Sequence, residues 1–183
     1  MRCDIAGGGR PGDLVAVQGI GRLGHLGVQF ANKFGYRVVA ISRGPQNAPF
    51  AKKLGAHIYL DSATSNAAEE LQKLGGARVI LATAPSAKPM TALIDGLSVD
   101  GRMMVVGATP EPIEVSPIRL IGARKSIQGW PSGIAPDSED TLRFAELTGV
   151  RPMIEKYPLT KVNEAYARMT SGKAEFRVVL TMD

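Results

Sequence analysis

Short apolar runs alternate with amphipathic stretches along most of the chain. Residues 14–17 are apolar at every position, which is typical of a central parallel strand buried on both faces. After them, apolar residues keep helical spacing over 23–34, and Gly35 is placed to end the helix. A second apolar run at 36–41 predicts another buried strand. The pattern therefore predicts a strand, a helix and a strand in succession.

The same alternation continues downstream. Further apolar runs predict strands at residues 57–60, 78–82, 101–106, 126–129 and 176–182, with a brief strand at 113–116. Helical spacing predicts helices at 49–54, 66–74, 88–97, 137–147 and 162–169, and Pro117 fits the first turn of another. This order predicts an α/β fold: a doubly wound parallel sheet of the Rossmann type, followed by a short C-terminal α+β extension.

A glycine-rich turn lies between the first predicted strand and the first predicted helix. Gly19, Gly21 and Gly24 are spaced as G-x-G-x-x-G. In this fingerprint the first glycine permits a tight turn, the second lets the backbone approach a pyrophosphate, and the third allows close helix packing. Glycines also collect in ordinary turns, but this context of strand, turn and helix favours dinucleotide binding over a purely structural turn. The loops after residues 17, 41, 82 and 106 are then expected on one rim of the sheet.

The end of the second predicted strand bears on the choice of dinucleotide. NAD-binding forms usually carry an acidic residue there to bind the ribose hydroxyls, whereas this chain has Ser42 and then Arg43. Serine can donate a hydrogen bond to the additional phosphate of NADP, and arginine can form a charge-assisted fork with it. The residues favour NADP. In the alternative interpretation, Arg43 is a surface residue and NAD is bound through other contacts.

Length and composition limit the domain organisation and the cellular location that we expect. The 183 residues predict one domain with an appendage, divided into a flexible lead-in at 1–12, a dinucleotide-binding domain at 13–135 and a C-terminal segment at 136–183. No apolar run approaches the length of a membrane span, and no signal peptide is apparent at the start. A single cysteine, Cys3, agrees with a reducing compartment. We therefore expect a cytoplasmic protein without a membrane partner.

Net charge does not predict a nucleic-acid partner. The formal charge is +5, but the basic residues are scattered singly and do not alternate with aromatic residues in any run. A solvated basic surface that attracts anionic ligands is the simpler interpretation.

Several segments in order resemble one family. VQGIGRLGHLGVQFANKFGYRVVAISRG, AKKLGAHIYLDS, VILATAP, GRMMVVGATPEPIEVSP, SIQGWPSG and SGKAEFRVVLTM together resemble zinc-type alcohol dehydrogenases of the medium-chain dehydrogenase/reductase superfamily. The resemblance implies hydride transfer between NADP or NAD and an alcohol or aldehyde, with zinc in full-length members. It also implies a homodimer that pairs through the edge strand at 126–130.

The resemblance also implies which residues contact the cofactor. Gly19, Gly21, Arg22, Leu23 and Gly24 would meet the pyrophosphate with Arg177, Ala84 would flank the adenine, and Val106, Gly107 and Trp130 would lie near the nicotinamide. Arg22 departs from the glycine usual in the family, so it either pairs with a phosphate or crowds the loop. Trp130 is either a cofactor contact or a packing anchor.

The ligands of a catalytic zinc are missing from this sequence. Catalytic zinc needs about three converging protein ligands, and the chain has one cysteine and two histidines, His25 and His57, with no C-x-x-C or H-E-x-x-H motif. The resemblance implies that a preceding substrate domain supplies these ligands. We therefore expect the cofactor-binding half of such an enzyme, inactive alone, with exposed apolar side chains after Pro136. A nucleotide-binding module without turnover and part of a zinc-independent quinone-reductase-like enzyme stay open as alternatives.

Overall fold

A computed structural model describes residues 9–172 and 174–182 of the chain. Most of the predicted lead-in at 1–12, including Cys3, lies outside the described residues. The chain forms two compact units, Met1–Val150 and Arg151–Asp183. The compact units thus divide after Val150, whereas the functional boundary expected after residue 135 stays a prediction. No helix in the described part of the chain is both long and apolar enough to cross a membrane.

The first unit contains a six-stranded parallel sheet, which confirms the predicted Rossmann-type fold. Its strands are β1 (Leu14–Gln18), β2 (Arg37–Ser42), β3 (Ile58–Asp61), β4 (Ala77–Ala82), β5 (Leu97–Val105) and β6 (Ser126–Gly129). Their spatial order is β3-β2-β1-β4-β5-β6, which is the order of the doubly wound dinucleotide-binding fold. Strand order reverses between β1 and β4, so a ligand crevice is expected outside their carboxyl ends.

Helices connect these strands and cover the sheet. They are α1 (Gly24–Lys33), α2 (Ala48–Lys53), α3 (Ala67–Lys73), α4 (Ala87–Leu93), α5 (Pro117–Ile121) and α6 (Ala135–Thr148). Gly35, just past α1, has a φ of +81°, the left-handed conformation in which a glycine ends a helix. This agrees with the prediction that Gly35 ends the first helix. Pro117 occupies the first turn of α5, also as predicted. On α6, the ring of Phe144 stacks on Phe34 with centroids 4.3 Å apart.

Burial on both faces of the sheet explains why the central strands are apolar at consecutive positions. All of β1 is buried, because its side chains point alternately to the two covered faces of the sheet. Leu14 and Ala16 join a cluster with Leu71 of α3 and Met90 of α4. On the opposite face, Gly27 of α1 leaves no room for a side chain, since an added Cβ would lie 2.8 Å from Leu81 of β4.

Two sequence predictions in the first unit are wrong in detail. The helix predicted at 88–97 ends at Leu93, and β5 begins at Leu97, because buried Leu97 already pairs with Ala77 of β4. The brief strand predicted at 113–116 does not form. Ile113 and Val115 pack on the core, but the amide of Glu114 donates to the hydroxyl of Thr91 instead of to a neighbouring strand.

The second unit is a small parallel β-α-β structure. It consists of β7 (Ile154–Pro158), α7 (Val162–Thr170) and β8 (Arg177–Thr181), and β7 pairs with β8 in parallel register. Arg168 of α7 holds Glu155 of β7 through two hydrogen bonds of 2.9 Å. Apolar side chains expected to be exposed after Pro136 are exposed, including Leu142 and Leu147 in the first unit and Tyr166 and Met182 in the second.

Candidate functional site: a crevice at the carboxyl ends of the strands

The glycine turn after β1 is built by contacts between backbones. Gly19 has a φ of +87°, and an added Cβ there would lie 2.9 Å from the Cβ of Ala84. At Gly24 an added Cβ would overlap the carbonyl oxygen of Gly19. Neither position has room for a side chain, so both glycines are required by the protein's own packing.

Gly21 differs from these two glycines. A Cβ added there would meet no heavy atom within 4 Å, so the protein itself does not need a glycine at this position. The carbonyl of Gly21 accepts hydrogen bonds from the backbone N–H of His25 at 3.0 Å and from His25 Nδ1 at 3.1 Å. The open space therefore lies beside a fixed backbone, which is the arrangement that lets a ligand approach the chain closely.

The next two predicted residues, Arg22 and Leu23, lie on the outer side of the turn. Both side chains are exposed, and Arg22 does not adopt a positive φ. Arg22 therefore occupies its position without left-handed backbone strain, and both interpretations of its side chain, pairing with a phosphate or crowding the loop, stay predictions.

Thr83 and Gln18 join the turn to the neighbouring strand β4. The Thr83 hydroxyl donates to the carbonyl of Gln18 at 2.9 Å and to that of Gly19 at 3.0 Å. The backbone N–H of Ala84 lies 3.3 Å from the side-chain oxygen of Gln18. These contacts hold the ends of β1 and β4 at the point where the strand order reverses.

A crevice of about 710 Å³ opens at this point of the sheet. It combines Gly19 of the turn, the end of β2, the start of α3 and one side of α4 along its whole length. Of the predicted site residues, Gly19, Ser42, Arg43 and Ala84 line it together. The remaining lining residues are Gln18, Ile41, Ser62, Ser65, Asn66, Ala67, Ala68, Ser86, Lys88, Pro89, Ala92 and Leu93.

The charged lining of the crevice is positive. Arg43 and Lys88 are its two charged lining residues, and both side chains are exposed. Neither makes an ion pair with another described residue. A site with two cations, several hydroxyl groups and apolar walls is suited to an anionic ligand that also carries an apolar ring.

The other predicted contacts lie outside the lining of this crevice. The amides of Val106 and Gly107 both donate to the carbonyl of Ala82 at 3.0 Å, so they continue the same rim past β5. Half-buried Trp130 follows β6, and its amide donates to the carbonyl of Val105 at 3.0 Å. Arg177 begins β8 in the second unit, and its contact with a pyrophosphate stays a prediction.

The described residues do not fit a zinc ion. No group of three or more histidine, cysteine, aspartate or glutamate side chains converges within residues 9–172 and 174–182. His25 is fully buried against the glycine turn. His57 Nδ1 accepts a hydrogen bond from the amide of Val38 at 2.9 Å. Both imidazole rings therefore form hydrogen bonds with backbone groups.

Some residues of the crevice were not identified from the sequence. A polar residue directly after a predicted apolar strand is a usable signal. Gln18, which lines the crevice, meets it, as do Thr83 and Asp61, which do not line the crevice but hold the backbone beside it. Lys88 carries no such signal, because it sits inside a helix and reaches the crevice only through the fold.

Comparisons with known proteins agree with this geometry. The family model for zinc-binding dehydrogenases matches residues 23–147. The chain is 51% identical over 172 residues to the alcohol dehydrogenase patD of Penicillium expansum, covering 94% of this chain and 50% of that protein. It is 44% identical over 174 residues to the alcohol dehydrogenase notN of Aspergillus sp. (strain MF297-2), covering 95% of this chain and 51% of that protein.

A solved structure shows the same fold. A cinnamyl alcohol dehydrogenase from Sorghum bicolor superposes with a TM-score of 0.80 and 31% identity, covering 93% of this chain and 48% of that one. The chain thus spans about half the length of the relatives it matches. Because the family model matches residues 23–147, more than half of the chain, and the patD relative is 51% identical over 94% of the chain, the chain belongs to the zinc-binding dehydrogenase family.

Proposed function

We propose that this chain is the cofactor-binding portion of an alcohol dehydrogenase-like oxidoreductase, which transfers a hydride between a nicotinamide dinucleotide and an alcohol or aldehyde. The observation that carries the proposal is the crevice that begins at Gly19, with open space at Gly21 beside a fixed backbone. The names of the relatives, which are alcohol dehydrogenases, support the reaction class.

The cofactor would lie across the carboxyl ends of β1 and β4. Gly19, Gly21, Arg22, Leu23 and Gly24 would hold its pyrophosphate. The amide of Gly19 already donates to the carbonyl of Ile41 at 2.8 Å, so the amides at the start of α1 would bind the phosphate oxygens. Ala84 would flank the adenine, and Val106, Gly107 and Trp130 would line the nicotinamide end. The cofactor supplies hydride transfer, whereas the protein binds and orients it.

The lining of the crevice supports NADP over NAD. Arg43 and Lys88 are its charged residues, and no carboxylate belongs to the described lining. The nearby carboxylate of Asp61 accepts hydrogen bonds from the amides of Gly44 and Ala63 instead. A 2′-phosphate would therefore meet positive charge without meeting a repelling carboxylate.

The edge strand β6 supports a homodimer as a further part of this proposal. Ser126–Gly129 pairs with β5 on one side and forms the end of the six-stranded sheet. A free strand edge presents unpaired backbone groups to a second copy of the chain.

Calorimetric titration of the chain with NADPH and NADH tests the proposal. Arg43→Gln is expected to weaken NADPH binding about tenfold, which corresponds to ~1.4 kcal/mol and to the loss of one charge-assisted contact. NADH binding is expected to change little. Arg37→Gln is the matched control, because Arg37 is an exposed arginine at the opposite end of the same strand. Failure of the unmodified chain to bind either nucleotide would overturn the proposal.

An activity assay addresses the second half of the reaction. With zinc and a primary alcohol added, we expect nucleotide binding without turnover, because the described residues do not fit zinc. Turnover by this chain alone would contradict the assignment of a cofactor-binding portion.

A further inference from the structure

The loop that carries Arg43 is held by groups from another strand. We define the 42–47 loop as the residues from Ser42, the last of β2, to Asn47, the residue before α2. At its centre, the Gly44 amide donates to Oδ1 of Asp61 at 2.8 Å. The Tyr59 hydroxyl donates to the carbonyl of Gly44 at 2.6 Å. Both polar groups of the Gly44 backbone are thus fixed by β3.

A second contact comes from within the loop. The side-chain amide of Asn47 donates to the carbonyl of Arg43 at 2.9 Å, and it lies 3.3 Å from the hydroxyl oxygen of Ser42. The backbone on both sides of the Arg43 side chain is therefore tied down. The guanidinium is exposed and bonded to no other described residue.

The protonation state of Tyr59 agrees with its role as a donor. Burial, followed by the charge of Asp61, raises the pKa of the Tyr59 phenol above its ordinary value of 10.0, and hydrogen bonds from Ser42 and Asn47 lower it in part. The phenol is therefore protonated at neutral pH and can donate to Gly44.

Fixing a loop before binding removes part of the entropic cost of binding. An arginine on a mobile loop would lose backbone and side-chain freedom on meeting a phosphate, whereas here the backbone part is already ordered. We propose that Tyr59 and Asn47 are positioning residues that hold the backbone of Arg43 for a ligand's 2′-phosphate, and so set the preference between phosphorylated and unphosphorylated adenine nucleotides. This inference rests on the proposed function.

Adenosine nucleotides that differ in the 2′-phosphate test the inference. Binding of 2′,5′-ADP and 5′-AMP to the full chain is measured by calorimetry for the unmodified protein and for Tyr59→Phe. We expect Tyr59→Phe to weaken 2′,5′-ADP binding about fivefold, as for the loss of one net hydrogen bond, with 5′-AMP binding unchanged. Tyr36→Phe is the matched control, since its hydroxyl contacts Gly9, away from the loop.

A double-mutant cycle separates positioning from general stability. If Tyr59 acts through Arg43, Tyr59→Phe has no further effect on 2′,5′-ADP binding in an Arg43→Gln background. Asn47→Ala provides a second route to the same result, with the fold checked by circular dichroism. Equal losses for the two ligands, or the same loss in both backgrounds, would overturn the inference.

The outcomes also distinguish this inference from the proposed function. If the unmodified chain prefers 2′,5′-ADP and the Tyr59 and Asn47 variants keep that preference, the positioning role is wrong while the proposed function stands. If the unmodified chain binds neither nucleotide, the proposed function fails and the positioning role fails with it.

Discussion

The glycine turn at 19–24 and the 42–47 loop lie on the same rim of the sheet but are held by opposite means. In the turn, backbone atoms approach so closely that a Cβ on Gly24 would overlap the Gly19 carbonyl. In the loop, side chains from Tyr59, Asp61 and Asn47 hold the backbone through hydrogen bonds. At Gly19 and Gly24 the turn therefore has no room for a Cβ, whereas the loop depends on hydrogen-bond donors and acceptors from the side chains of Tyr59, Asp61 and Asn47.

The strongest test of this contrast is Gly24→Ala. Its Cβ would collide with backbone, which cannot move aside as a flexible side chain can. We expect the free energy of unfolding to fall by about 3 kcal/mol or more, as for severe overpacking. Urea unfolding monitored by circular dichroism measures this change, and an unaltered midpoint would contradict it.

Gly21→Ala is the matched substitution within the same turn. Because nothing lies within 4 Å of the added Cβ, we expect the free energy of unfolding to change by less than ~1 kcal/mol. NADPH binding is expected to weaken at least about tenfold, since the methyl group occupies the space where a pyrophosphate would approach the backbone. Unchanged NADPH affinity would assign Gly21 no role in binding.

Thr83→Val tests the side-chain contact on which the turn depends. The substitution removes the hydroxyl that donates to the carbonyls of Gln18 and Gly19 while keeping a similar shape. We expect a loss of about 1–2 kcal/mol in the free energy of unfolding, because a buried acceptor loses a donor. Thr83→Ser keeps the hydroxyl and is expected to recover most of the loss; equal losses in both variants would implicate packing instead.

The smallest expected effect concerns pH and the 42–47 loop. Because the folded pKa of Tyr59 lies above the ordinary 10.0, the unfolded chain loses this proton first as pH rises. The contribution of the phenol to stability is therefore complete below pH 10.0 and lost as pH rises through the folded pKa. Ultraviolet titration of tyrosinate should show a step above pH 10.0 that is missing in Tyr59→Phe.

Asp61→Asn refines the same titration. The substitution removes the charge that contributes to the raised pKa but keeps an oxygen that can accept from Gly44. We expect the Tyr59 step to move down in pH, because the charge of Asp61 is one of the two causes that raise the pKa of the phenol. A Tyr59 step at or below pH 10.0 in the unmodified chain would contradict the combined effect of partial burial and the Asp61 charge on the pKa of the phenol.

The two regions also differ in what the sequence predicts. The turn is local: the apolar run of β1, three spaced glycines and the helical pattern of α1 are contiguous, so both fold and turn were predicted from pattern. The loop is not local, because the contacts of Gly44 with Tyr59 and Asp61 span 15 and 17 residues. Nothing in the sequence near Arg43 indicates those partners.

Non-local contacts also explain why the strand predicted at 113–116 does not form and why Lys88 was not predicted. The spacing at 113–116 correctly indicated apolar residues that pack on the core, but strand formation also needs a neighbouring strand to pair with, and Glu114 bonds Thr91 instead. Lys88 was missed because its position beside the crevice depends on how α4 follows β4.

Amide chemical-shift mapping of the isotopically labelled chain with NADPH tests the central claim most directly. We expect shifts concentrated at the carboxyl rim, at Gly19, Gly21, Arg43, Ala84 and the start of α4. Arg78 and Asp100, which are bonded to each other away from the crevice lining, should not shift. Saturating NADPH that leaves the rim amides unchanged, or that shifts only residues elsewhere, would contradict a cofactor site at the glycine turn.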